Sequence, residues 1–82
     1  MPTARRKDGF DFMIYLLDHE PPHTYVWKAG KELVINLGDE TQAPYIRDGN
    51  GMSNKDKRTA LKIAAENQDF LIAEWERFHG DT

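Results

Sequence analysis

His19, Glu20 and His23 stand in the order H-E-x-x-H, the arrangement in which two histidines bind zinc and the glutamate activates a water molecule. That chemistry needs a helix, because only there do positions i and i+4 share a face and bring both imidazoles to one ion. Here the two intervening residues are Pro21 and Pro22. Proline has no amide hydrogen to donate and pushes the residue before it out of the helical region. Residues 19–23 are therefore expected to be extended and stiff, the zinc-peptidase reading fails on geometry, and no metal site or other cofactor is expected. Two roles fit the residue types instead. In one, the prolines stiffen a connection, Glu20 orients a histidine, and the imidazoles cap loop carbonyls. In the other, His19 and His23 act as a general acid–base pair on a phosphodiester, assisted by Tyr25 or Arg47.

The elements that would position these residues can be read from periodicity. From Phe10, the run FDFMIYLLD places Phe10, Phe12, Ile14 and Leu16 on one side at a period of two. The run TYVWK at 24–28 is rich in β-branched and aromatic residues, and ELVINL at 32–37 alternates Leu33, Ile35 and Leu37 against Val34 and Asn36. Between them Ala29 and Gly30 offer a turn, so the two runs are expected to pair as a hairpin, with HEPPH connecting the first strand to the second. Residues 38–52 read as a loop in which YIR at 45–47 adds at most a marginal edge strand. Within it DGNG has the start of a calcium-loop spacing, but the closing bidentate glutamate would fall at Thr59, so a glycine-rich turn is expected.

Ser53 is a natural N-cap with Asp56 at the capping-box position, and neither proline nor glycine intervenes before Gly80. Leu61, Ala64, Ala65, Gln68, Leu71, Ile72, Trp75 and Phe78 form a stripe at helical spacing. A single helix over 54–79 would be about 39 Å long, more than a small sheet can cover, so a kink near Asn67 or an end that reaches a partner is expected. Cations fill its first half (Lys55, Lys57, Arg58, Lys62) and carboxylates its second, the reverse of what the helix dipole favours by about 0.3–1 kcal/mol per charge. Lys55, Arg58 and Lys62, with Arg5 and Arg6 near the N-terminus, are thus the candidate anion or nucleic-acid contacts.

The predicted fold is α+β: a small antiparallel sheet of three or four strands, with one long, kinkable C-terminal helix on one face. Residues 1–8 form an arm, 10–37 three strands, 38–52 a loop and 53–79 the helix. Its expected core is Phe12, Ile14, Leu16, Leu33, Ile35, Leu61, Ala65, Leu71 and Trp75. Eighty-two residues make one domain with one small core. The absence of cysteine excludes disulfides and thiolate zinc sites, and fits a reducing cytoplasm. A net charge of −3 argues against the whole chain being a nucleic-acid binder. No apolar run approaches a membrane span, and MPTARRKDG lacks the apolar segment of a secretion signal, so a cytoplasmic protein is expected.

Taken together, MPT, a glycine-led aromatic strand, DHEPPHTYV and ENQDFLIAEW resemble a family of small bacterial and phage-associated domains of unknown function marked by H-E-P-P-H-x-H-V. His19, Glu20, Pro21, Pro22, His23 and Val26 match that pattern, and Tyr25 replaces its third histidine. Members of such a family are often encoded beside a second small protein, in pairs that look like toxin–antitoxin modules. The resemblance implies a protein-interaction module, with a small partner protein or self-association through the C-terminal helix. A ribonuclease-like toxin using His19 and His23, and a nucleic-acid-binding regulator, are the alternatives.

Overall fold

The computed structural model describes residues 3–15, 19 and 21–79. Five strands precede two helices: β1 (Thr3–Lys7), β2 (Phe10–Met13), β3 (His23–Lys28), β4 (Lys31–Asn36), β5 (Tyr45–Asn50), α1 (Asn54–Glu66) and α2 (Gln68–His79). The strands lie in chain order, each antiparallel to the next. The expected α+β class holds, but the sheet has five strands where three or four were predicted.

At the centre is the expected hairpin. β3 and β4 pair Lys28 with Lys31, Val26 with Leu33 and Thr24 with Ile35. Ala29 (φ 51°) and Gly30 (φ 79°) both adopt left-handed conformation, giving the two-residue turn whose twist matches that of the strands it joins. Beyond the paired strands, the Leu37 amide donates to the Pro22 carbonyl (2.9 Å), so the proline segment is tied to the far end of β4.

Two predicted irregular segments are strands. Residues 1–8 were expected to be an arm, yet Thr3–Lys7 pairs with β2 through a second two-residue turn at Asp8 (φ 53°) and Gly9 (φ 84°). Asp-Gly is itself a strong hairpin dipeptide. Residues 38–52 were expected to be a loop with a turn at DGNG, yet β5 continues through Asn50. Gly49 pairs with Leu33, and a Cβ there would lie 2.8 Å from Leu33 Cδ1. Glycine at 49 therefore lets the edge strand close against the core, a use of glycine that resembles a turn in the sequence.

Helical periodicity is borne out with one correction. Ser53 caps α1, its Oγ accepting from the Asp56 amide at 3.1 Å. The expected single helix is two, divided at Asn67 (φ −116°, ψ 20°), where a kink was predicted. Asn67 turns inward on the preceding turn: its backbone amide donates to Ile63 (3.0 Å) and Ala64 (3.2 Å), and its Nδ2 donates to the Ile63 carbonyl (2.8 Å). α2 then opens with Gln68, whose Nε2 lies 2.8, 3.1 and 3.0 Å from the carbonyl oxygens of Leu37, Asp39 and Gln42.

Both helices pack on one face of the sheet. Phe10, Phe12, Ile14, Val26, Leu33, Ile35 and Leu37 meet Met52, Ala60, Ile63, Ala64, Leu71 and Trp75 in a single core. Each large apolar side chain buried in this way contributes about 1.5–3 kcal/mol. Leu61 packs at the margin of this core and Ala65, expected inside, is exposed. The buried stripe of α1 follows Ala60, Ile63 and Ala64, which turns residue 65 to solvent. Leu16, at the end of the expected first strand, and Gly80, the expected helix stop, lie outside the described residues. No described helix is long and apolar enough to cross a membrane.

Gly38 anchors the loop that receives Gln68. It sits at φ 70°, and a Cβ there would lie 2.2 Å from the Gln42 carbonyl oxygen. Gly38→Ala should therefore lower stability by about 3 kcal/mol or more. Gly30→Ala, at φ 79° with nothing within 4 Å, should cost only about 1–2 kcal/mol. Urea unfolding followed by tryptophan fluorescence measures both, and equal midpoints for the two variants would refute this account of the loop.

Candidate functional site

Strand alternation sorts the sheet into two faces. Phe10, Phe12, Thr24, Val26, Leu33 and Ile35 point into the core, while Asp11, Met13, Tyr25, Trp27, Glu32 and Val34 occupy the other side and are half-buried. Among the described residues no second layer covers that side. Tyr25 is braced there by Tyr15, whose ring lies edge-on at 4.9 Å.

On this open face lies a cavity of about 400 Å³ lined by His19, His23, Tyr25, Glu32, Val34, Arg47 and Asp48. Four of the five candidate catalytic residues thus converge: His19, His23, Tyr25 and Arg47. The fifth, Glu20, lies outside the described residues. Arg47 arrives by an irregularity no periodicity reveals. Val34 pairs with Asp48 but Ile35 pairs with Ile46, so Arg47 is the extra residue of a β-bulge, a device that re-aims a side chain. Glu32 and Asp48 were not among the candidates. Glu32 is two positions from Val34 and hence on its face, a signal available in the sequence. Asp48 was concealed by the reading of DGNG as a turn.

The two histidines differ sharply. His19 is exposed and non-helical, whereas His23 opens β3 and is only 3% exposed. The Nδ1 of His23 lies 2.8 Å from the Pro21 carbonyl oxygen. A carbonyl can only accept, so Nδ1 carries a proton and donates it. The ring is tilted against Trp75 of α2, with centroids 5.1 Å apart, and edge-on to Tyr25 at 5.5 Å. His23 therefore caps a loop carbonyl, as one of its two expected roles required, while one edge of it reaches the cavity. Among the described residues no three His, Cys, Asp or Glu side chains are grouped to hold a metal ion.

The basic candidates sit elsewhere. Arg5 stacks on the Phe70 ring, its guanidinium carbon 4.4 Å from the centroid, and Arg6 pairs with Asp11. Lys55, Arg58 and Lys62 are exposed along α1. None of the five lines the histidine cavity.

A five-stranded antiparallel sheet backed by two helices, with a histidine-bearing cavity on its uncovered face, defines a small two-layer α+β domain. Residues 9–76 match the family described as a domain of unknown function, DUF4160, and the chain belongs to it. No curated protein and no solved structure matches the chain.

The unequal settings of the histidines have a direct consequence. His23→Ala removes a buried ring from between Trp75 and Tyr25 together with its bond to Pro21, and should destabilise the protein by about 2–4 kcal/mol. His19→Ala, at an exposed position, should stay within about 0.5 kcal/mol of the unaltered protein. Urea midpoints decide this, and a His23→Ala variant as stable as the unaltered protein would remove the clamp role.

Proposed function

We propose that this chain is a protein-interaction module whose open sheet face binds a second small protein, as in the toxin–antitoxin-like pairs that the resemblance implies. The observation that carries this reading is the uncovered face itself. Met13, Tyr15, Tyr25, Trp27 and Val34 present half-buried aromatic and aliphatic surface, and Arg47, Glu32 and Asp48 add charges of both signs beside it. Aromatic anchors ringed by mixed polar groups are the composition of protein interfaces. The C-terminal helix is a weaker candidate for docking, because Leu71 and Trp75 of its apolar stripe are already buried in the core.

Convergence of His19, His23, Tyr25 and Arg47 in one cavity favours a second reading, a phosphodiester-cleaving toxin. Glu32 and Asp48 line the same cavity and weigh against it, since two carboxylates repel the phosphate that Arg47 would attract. Glu32 and Asp48 would both have to move or take up a proton before an anion settled there. The mixed charge suits a protein surface better.

The protein encoded beside this chain should form a defined complex with it on co-expression, seen as a shift in size-exclusion elution. Trp27→Ala should weaken that complex by about 2 kcal/mol or more, roughly thirtyfold in Kd, if Trp27 is an anchor. A neighbour that never co-elutes, or a Trp27→Ala variant with unchanged affinity, would defeat the docking reading. Growth on induction tests the toxin reading separately. Toxicity relieved by His19→Ala, which leaves the fold intact, would support cleavage, and identical growth of the two strains would end it.

A further inference from the structure

A second cavity, of about 300 Å³, opens at the end of the sheet where the proline segment, the end of β4, the loop after it and α2 meet. Pro21, Pro22 and Ile72 give it apolar walls, and Asn36, Tyr45 and Glu76 give it polar ones. Among the described residues it shares none with the histidine cavity. A groove along α2 continues from it through Asp39, Ile72 and Glu76, and adds Glu40 and Asp69. Carboxylates thus border the whole depression, and among the described residues no lysine or arginine lines either part. Asp39 stays ionised: hydrogen bonds from the backbone amide and the hydroxyl of Thr41, each 2.9 Å, hold its carboxyl below the usual carboxylate range. The resulting field attracts cations.

Independent of that charge, Asn36 is in an unfavourable state. It is 7% exposed, and its Nδ2 donates to the Tyr45 hydroxyl oxygen at 3.0 Å. Its Oδ1 is buried and accepts no hydrogen bond, although buried amide oxygens are almost always paired because desolvation without a donor is expensive. Tyr45, which accepts that bond and lines the same cavity, is 42% exposed and so stands partly in solvent at its mouth.

We propose that this cavity receives the guanidinium of an arginine side chain on a partner protein. The group must supply a donor to a neutral amide oxygen while balancing a carboxylate in another direction, and a planar fork of five N–H donors does both. Its methylene stem lies against Pro21, Pro22 and Ile72, as arginine stems lie along apolar surface. Outward movement of Tyr45 opens Asn36 Oδ1 to the fork and exchanges the bond from Asn36 Nδ2 to the Tyr45 hydroxyl for one to water, and Glu76 at the rim compensates the positive charge. The site stands apart from the open-face reading and uses none of its residues.

The test titrates the full isotope-labelled chain, at low salt, with N-acetyl-arginine amide and in parallel with its uncharged isostere N-acetyl-citrulline amide, following amide shifts by NMR. Saturable shifts are expected at the Asn36 side-chain amide, Gly38 and Ile72 with the arginine probe and not with citrulline. Glu76 is exposed, so Glu76→Gln keeps the fold, and it should weaken the arginine probe about threefold. Asn36→Ala should abolish the shifts at Gly38 and Ile72. No saturable response, equal responses to the two probes, shifts centred on Tyr25 and Arg47 instead, or an affinity unchanged by Glu76→Gln would each overturn the proposal.

Discussion

The left-handed pair Ala29–Gly30 sets the register of the central hairpin, and the rest of the molecule depends on that register. With Lys28 opposite Lys31, Val26 falls opposite Leu33 and Thr24 opposite Ile35, all facing the helices. A slip by one residue would exchange the two faces, sending Tyr25, Val34 and Glu32 toward α1 and α2 and the core valine and leucines toward solvent. The same register delivers His23 opposite Asn36, so both cavities inherit their walls from one two-residue turn. β2 and β5 then add to a template that is already fixed.

The proline segment works within this frame as a tether. Its carbonyls are used on both sides, Pro21 accepting from the His23 ring and Pro22 from the Leu37 amide. Prolines cannot donate, so a run of two presents acceptors only, and the donors come from the strands it joins. Trp75 seals the arrangement from α2. A histidine placed so has one ring proton assigned by the backbone, and the same residue braces the loop while bordering the cavity on the open face.

Much of this was legible in the residues. β-branched and aromatic runs around Ala29–Gly30 announced the hairpin, Ser53 announced the start of α1, and Pro21–Pro22 excluded a helical histidine motif. Asp8–Gly9 carried an equally good turn signal, but the basic TARRK before it lacks the apolar alternation by which strands are recognised, since an edge strand need not bury one. β5 was hidden for the opposite reason: its Asp, Gly and Asn are turn formers, and glycine at 49 serves close approach to Leu33 rather than a reversal of the chain. The site followed the same division. His19, His23, Tyr25 and Arg47 could be nominated from residue type, whereas their meeting depends on a bulge, which leaves no periodic trace. The break at Asn67 had a local cause, an amide side chain bonding to the preceding turn, and a distant one, the carbonyls that draw in Gln68.

Five strands in chain order leave two unpaired margins, and any such margin is a template on which another chain can grow a ladder. One margin here is β1, where Arg5, Arg6 and Lys7 are exposed in succession. The other is β5, interrupted by its bulge and carrying Arg47 and Asp48 at the surface. Two molecules approaching through β1 bring like charges together, and two approaching through β5 meet a strand whose ladder is out of step. The borders of the sheet thus discourage fibre-like stacking even though one whole face carries half-buried aromatic side chains with no second layer over it among the described residues.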